Sequence, residues 1–170
     1  TMLRIIDTYL DMIKMEAGTY NLAAISLNLV SILHQVFSDL ETEARKKGVD
    51  FKLSINNRDA MEDETLNIQG EEVLCYSMFS NLVKNAVEAT PDHNPILINV
   101  SCQSSLVNID IRNQGSVPEN IKERFFDKYV THGKNHGTGL GTYSAKLMAE
   151  AQGGEISMDS SEEMGTVVSV

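Results

Sequence analysis

The sequence predicts an α/β (α+β) two-layer sandwich, in which a mixed β-sheet is covered on one face by three helices. Three observations predict it. Stretches with the 3.6-residue period of an amphipathic helix alternate with short stretches of period two. Their order is helix, strand, helix, strands, loop, helix, strands, which suits a layered sheet-and-helix domain. One long irregular segment, 113–139, interrupts the pattern and is too long for an idle connector, so it reads as a functional lid.

The chain opens on TMLRIIDTYLDMIKMEAG, where Leu3, Ile6, Leu10 and Ile13 share a helical face with Met2 and Tyr9, and Gly18 stops the run. The stripe has two readings: a helix packed on its own domain, or part of a helical seam whose partners lie elsewhere. Its narrowness favours the seam. A short strand is expected at 23–27. A helix over about 29–47 gathers Ile32, Leu33, Val36, Phe37, Leu40 and Ala44 on one side, and Gly48 ends it. In 50–55, Phe51, Leu53 and Ile55 alternate as in a strand. Segment 56–64 is polar and reads as a loop, with a short strand near 66–68.

A second helix is expected over about 71–89, ending before Pro91. Adjacent strands follow at 96–102 and 106–112, joined by the turn Gln103-Ser104-Ser105. A third long helix, about 140–151, sets Leu140, Ser144, Leu147, Met148 and Ala151 on one side, and Gly153-Gly154 ends it. Strands at 155–158 and 166–170 close the chain. No internal repeat or low-complexity segment appears.

Composition narrows the function classes. The 170 residues suffice for one domain with a real core. With 42% hydrophobic and 22% charged residues, the chain is ordinary for a globular protein. A formal net charge of −10 argues against binding nucleic acid, whose phosphates favour basic surfaces. A site for any other anion must then rely on backbone N–H groups and a few lysines. Cys75 and Cys102 lack metal-type spacing and read as reduced core residues. No apolar run reaches the ~20 residues that span a bilayer, and no signal-peptide pattern opens the chain. The start in a charged helical stretch and the stop in a strand-like run suggest an excised piece. The expected location is the cytoplasm, with any anchor of the parent protein in the inner membrane lying outside this segment.

Three constellations carry chemistry. Along the second helix, Leu74, Met78, Leu82 and Ala86 form an apolar face, while Asn81, Asn85 and Glu88 at i, i+4 and i+7 make a polar stripe. Two amides one turn apart can hold a phosphate oxygen and a hydrated magnesium ion together; solvent-facing asparagines are the plain alternative. In NIDIRNQG, strand parity places Val107, Ile109, Ile111 and Asn113 on one face. Asn113 then sits at the mouth of an apolar surface, where its amide can pair with the edge of a base and Gly115 permits close approach. An ordinary Asn-x-Gly turn is the alternative. In HGTGLG, Gly137, Gly139 and Gly141 run directly into the third helix, whose first N–H groups are unpaired and whose dipole is positive at that end. Lys134, with Lys128 or His132, would add positive charge from the lid. A flexible glycine turn is the alternative there. No Gly-Lys-Ser/Thr motif occurs, so this is not an ordinary P-loop.

Taken in order, these motifs resemble the ATPase domain shared by histidine kinases, DNA gyrase, heat-shock chaperone ATPases and mismatch-repair ATPases. NLVKNAVEA resembles the family's N box, NQG its first glycine box, RFFDKY its F box, GTGLG its second glycine box, and Gly165-Thr166 its last. The tip MIKMEAG resembles the end of a histidine kinase's second dimerisation helix, which selects the histidine kinases. The resemblance implies a stub of that helix at 1–18, an ATP-binding catalytic domain at 19–170, and a lid at about 125–139. It implies that Asn85 coordinates Mg²⁺ and Asn81 helps hold the phosphates. Asn113 would contact the adenine amino group with Gly115 beside the base, and Gly139, Leu140, Gly141 and Thr142 would offer backbone contacts to the phosphates. Gly137 and Thr166 complete the expected nucleotide contacts, and Lys134 is expected to assist transfer. The implied cofactors are ATP and Mg²⁺. The implied partners are the protein's own dimerisation and phosphoacceptor helices and, through the full-length kinase, a response-regulator receiver domain, in a homodimeric parent.

Three positions depart from the family pattern. The adenine-reading residue is usually Asp and here is Asn113, which keeps an acceptor oxygen but loses the charge. The second F-box aromatic appears as Tyr129. Glu88 replaces a lysine found in many relatives and puts negative charge near the expected phosphate site. None of His34, His93, His132 and His136 has the setting of a phosphoacceptor. The segment is therefore expected to bind Mg-ATP without labelling itself. The competing expectations are a degenerate nucleotide-binding module that regulates by docking, and an ATPase of the gyrase or chaperone type.

Overall fold

A computed structural model describes residues 10–61, 63–131 and 138–170. Residues 10–16 form helix α1. The remaining elements are β1 (Ile25–Asn28), α2 (Leu29–Lys46), β2 (Phe51–Ile55), β3 (Arg58–Asp59), β4 (Asn67–Gly70), α3 (Glu72–Ala89), β5 (Ile96–Gln103), β6 (Leu106–Asn113), α4 (Glu119–Lys122), α5 (Gly141–Ala151), β7 (Ser157–Ser161) and β8 (Gly165–Ser169).

Six strands make one mixed sheet in the order β3-β2-β5-β6-β8-β7. β2 and β5 run parallel, and the other neighbours pair antiparallel. Parallel neighbours need a long crossover, and here the crossover contains α3. β1 and β4 form a separate antiparallel ribbon, with Ile25 opposite Gly70. The period-two pattern is visible in the burial. Ile96, Ile98 and Val100 of β5 are fully buried, while Leu97 between them is 40% exposed. Ile109 and Ile111 of β6 point the same way, and Asn113 follows them at the strand's end.

The helices lie on that inner face. Helix α2 starts where the Asn28 side-chain oxygen accepts from the Val30 N–H, a normal N-cap. It buries Leu29, Val30, Leu33 and Val36. Helix α3 packs between α2 and α5 and against the sheet, so it is apolar over most of its surface. Phe79, Leu82, Val83 and Val87 are nearly inaccessible there. Each such side chain contributes roughly 1.5–3 kcal/mol of hydrophobic stabilisation. The helix stops at Thr90, which is extended because Pro91 follows.

Helix α1 departs from expectation. Leu10 and Ile13 of the expected stripe are about half exposed, and Met12 is the residue that packs. The described part of the stripe is therefore not buried on this domain. Met2, Leu3, Ile6 and Tyr9 lie outside the described residues. After Gly18 the chain is fastened by Glu71, which accepts from the Tyr20 hydroxyl at 2.8 Å and the Ala23 N–H at 3.0 Å. The short β3 and the single turn α4 were not foreseen. Cys75 is buried as expected, whereas Cys102 is only half-buried; both are free thiols. No helix among the described residues is long and apolar enough to cross a membrane.

Candidate active site

A cleft of about 400 Å³ opens where α3, the end of β6 and the start of α5 converge. That volume lies within the range of small-molecule sites. Its α3 wall carries Asn81, Lys84, Asn85 and Glu88. These residues are one face of a helix whose opposite face is buried, so the polar stripe read from the sequence faces the cavity. Asn81 is held in place: its Nδ2 donates to Ser144 Oγ at 3.0 Å, and that hydroxyl donates to the Gly141 carbonyl at 3.0 Å. Ser144 is buried on α5, so the amide of α3 is tied to the helix across the cleft. The far end of α3 is held as well. Lys47 Nζ donates to the carbonyls of Val87, Glu88 and Thr90 at 2.9, 3.1 and 2.5 Å, placing a cation at a helix C-terminus.

The opposite wall begins at α5. Leu140 is the N-cap but supplies no side-chain hydrogen bond. The first helical bond from this end is Ser144 N–H to Leu140 O. The N–H groups of the first turn thus lack intrahelical partners and stand beside the cleft, where they favour an anion. Gly139, Gly141 and Thr142 line the cavity. Leu140 is half-buried and is not part of the lining. The Thr142 hydroxyl donates to the Phe125 carbonyl at 2.9 Å and so ties α5 to the start of the expected lid. Lys134, Gly137, His132 and His136 lie outside the described residues.

The apolar end of the cleft is made by Val117, Pro118, Ile121, Phe125 and Val130. Asn113, 5% exposed, forms its polar edge. Its Nδ2 donates to the Gln114 carbonyl at 2.6 Å. Its Oδ1 accepts no hydrogen bond among the described residues, which leaves an acceptor facing the cavity. Gly115 follows at φ +100, and a Cβ there would stand 3.0 Å from the Ala89 carbonyl. A side chain would close that gap and strain the backbone. Thr166 lines the cleft too, and its hydroxyl donates to the Gly115 carbonyl at 2.8 Å.

The arrangement is chemically asymmetric. One end offers apolar walls and a single acceptor, which fits a flat heterocycle bearing an amino group. The other end offers two amides, Lys84 and backbone N–H groups without intrahelical partners, which fit an anionic tail. No group of three His, Cys, Asp or Glu side chains that could hold a metal occurs among the described residues. A divalent ion would suit this wall only in company with phosphate oxygens, with an asparagine oxygen as one ligand. That matches the coordination preference of Mg²⁺.

Lys128, expected to reach the site, is engaged elsewhere. Its ammonium pairs with Glu16 at 2.6 Å and lies 5.0 Å from the centre of the Tyr143 ring. Hydrogen bonds from Lys128 and then Tyr143 hold the Glu16 carboxyl below its usual range. The sequence reading overlooked Lys84 in the lining and the anchoring role of Ser144. Lys84 stands between Asn81 and Asn85 and could have been assigned to the same wall from helical spacing. The Ser144 link is long-range, and no local signal marks it.

A family model described as "Histidine kinase-, DNA gyrase B-, and HSP90-like ATPase" matches residues 70–170. Sporulation kinase A of Bacillus subtilis (strain 168) is 30% identical over 145 residues, covering 85% of this chain and 23% of the relative. The signal transduction histidine-protein kinase BarA of Escherichia coli (strain K12) is 30% identical over 175 residues, covering 97% of this chain and 18% of the relative. Among solved structures, the catalytic domain of histidine kinase ThkA superposes with a TM-score of 0.72 at 29% identity, covering 86% of this chain and 92% of that one. The chain thus spans under a quarter of the length of these two curated relatives.

Proposed function

The chain belongs to the family of histidine kinase-, DNA gyrase B- and HSP90-like ATPases, and from that premise we propose that it binds Mg-ATP in the cleft and passes the γ-phosphoryl to a histidine. The acceptor would lie on dimerisation and phosphoacceptor helices of the parent kinase, which would then serve a response-regulator receiver domain. The observation that carries this reading is the pairing of two walls: the uncapped N-terminus of α5 stands across the cleft from the amides of α3.

Each residue has a separate task in this proposal. Asn113 Oδ1 accepts from the adenine amino group, and Gly115 admits the ring edge. The N–H groups around Gly139, Gly141 and Thr142, with Asn81, hold phosphate oxygens, and Leu140 contributes through its backbone. Gly137 and Lys134, outside the described residues, are expected from the sequence alone to add to the phosphate contacts. Asn85 supplies the side-chain oxygen to the metal. Bound Mg²⁺ would neutralise charge on the phosphates as the bridging P–O bond breaks and the imidazole N–P bond forms. The protein's share is positioning and charge stabilisation. The segment alone is expected not to autophosphorylate.

One observation favours a second reading, a nucleotide-binding module without turnover. Glu88 lines the cleft and brings a carboxylate toward an anionic ligand. A fluorescent ATP analogue titrated with and without Mg²⁺ tests binding. Asn85→Ala is expected to lose about tenfold in the magnesium-dependent affinity, or roughly 1.4 kcal/mol. No loss would remove Asn85 from the metal site. Adding the upstream helices and assaying phosphohistidine then separates a kinase from a silent module.

A further inference from the structure

Two buried hydroxyls lie beneath the turn 115–117. Ser160 of β7 and Thr166 of β8 are opposite each other in the strand register, and are 6% and 5% exposed. Their oxygens are 2.9 Å apart. Thr166 Oγ1 lies 2.8 Å from the Gly115 carbonyl oxygen, and the Val117 N–H donates to Ser160 Oγ at 2.8 Å. A hydroxyl has one proton to give. A carbonyl only accepts, so the Thr166 proton goes to Gly115. The proton between the two hydroxyls must then come from Ser160. The chain runs from the Val117 N–H to Ser160, from Ser160 to Thr166, and from Thr166 to the Gly115 carbonyl. It starts and finishes in the same turn and clamps that turn to the sheet at both ends.

We propose that Ser160 is a positioning residue for the base end of the cleft, acting through Thr166 and the Gly115–Val117 turn on the orientation of the Asn113 amide. The proposal rests on the nucleotide reading of the site. Asn113 is the register partner of Thr166, and its Nδ2 donates to the Gln114 carbonyl at 2.6 Å. That bond decides which end of the amide faces the cleft. Turning the amide over would set its oxygen against the Gln114 carbonyl oxygen, acceptor against acceptor. An aspartate would present an acceptor either way round. An asparagine presents one only while Gln114 holds its place, and Gln114 is the residue between Asn113 and the clamped turn. The hydroxyl pair therefore governs selectivity between a 6-amino purine, which donates, and a 6-oxo purine, which accepts.

Calorimetry with Mg²⁺ on three probes tests this: ATP, its 6-oxo analogue ITP, and inorganic tripolyphosphate. Ser160→Ala is expected to lose about tenfold in ATP affinity and to narrow the ATP-to-ITP ratio by a similar factor. Affinity for tripolyphosphate should stay within about twofold, because the anion end of the cleft is untouched. Ser160→Thr keeps the hydroxyl and should restore the ratio. A purely structural role would weaken all three probes alike, and that result overturns the proposal. An unchanged ATP-to-ITP ratio in Ser160→Ala overturns it also, as does a wild-type protein that binds ATP and ITP equally. If Ser160→Ala does not fold, Ser160→Cys replaces the hydroxyl by a much weaker hydrogen-bonding thiol at similar shape and is read by the same ratio. A wild-type protein that binds no adenine nucleotide would overturn the function proposed for the site, and this inference with it. Normal wild-type discrimination that survives in the variants would overturn this inference alone.

Discussion

Gly139 meets Tyr129 in a narrow neck beside the cleft. It adopts φ +66, and a Cβ there would lie 2.5 Å from the Tyr129 carbonyl carbon and 2.8 Å from the Val130 nitrogen. Those are backbone atoms, so no side-chain rotation relieves the clash. The Tyr129 N–H donates to the Gly139 carbonyl at 2.9 Å, and Tyr129 is itself left-handed at φ 64. Gly139→Ala must open this neck or force a left-handed residue costing roughly 1–2 kcal/mol. The expected outcome is a melting midpoint lower by roughly 2–8 °C, with a fall in ATP-analogue affinity of about tenfold or more. Differential scanning fluorimetry and titration of the same sample would check both; unchanged affinity would exclude a role for the neck in binding. The importance of Gly139 was legible, because glycines at alternate positions before a helix are a local signal. The roles of Ser144 and Ser160 were not. A serine in a helix or strand looks the same whether it faces water or a buried partner, and their partners are brought near by folding alone.

At the scale of elements, the period of the hydrophobic pattern located α2, α3, α5 and the long strands, since each of them buries one face. β3 and α4 escaped because they are too short to show a period and bury little. The anchor of the segment that follows α1 also escaped, as it pairs a tyrosine and a glutamate far apart in sequence. Burial and then the hydrogen bond to Glu71 push the Tyr20 hydroxyl up to about 12 from its ordinary value of 10.0. The protonated form is the one that the folded state prefers. Its contribution is thus complete below pH 10 and is lost as pH rises through about 12. Tyrosinate absorbance followed against pH should show a step near 12 that Tyr20→Phe removes. The variant should also flatten the dependence of that segment's docking on alkaline pH. A titration in which all tyrosines ionise together near their ordinary value would discard this anchor.

On the scale of the whole molecule, a polar cluster links α1 to residues that adjoin the cleft lining. Glu16 at the end of α1 pairs with Lys128, the residue before Tyr129 in the neck, and both meet Tyr143 on α5. A displacement of α1 therefore reaches the neighbour of Tyr129 and the first turn of α5 together. The sequence announced α1 and the glycine neck separately, but their connection is a contact between distant side chains, and periodicity cannot express it. The pair is partly exposed, so its influence is modest and falls with salt. Its pH dependence follows from the depressed Glu16 carboxyl. The contribution is present above the ordinary carboxylate range and is lost as pH falls through the lower folded-state value. Glu16→Gln should speed release of a fluorescent ATP analogue by less than about fivefold at low ionic strength, with the difference shrinking near 1 M salt, where the Debye length falls to about 3 Å. Stopped-flow displacement at the two salt concentrations measures this directly. Identical release rates for wild type and variant at low salt would mean that α1 and the neck move independently. A difference of the same size at both salt concentrations would assign the effect to packing around Met12 instead of to charge.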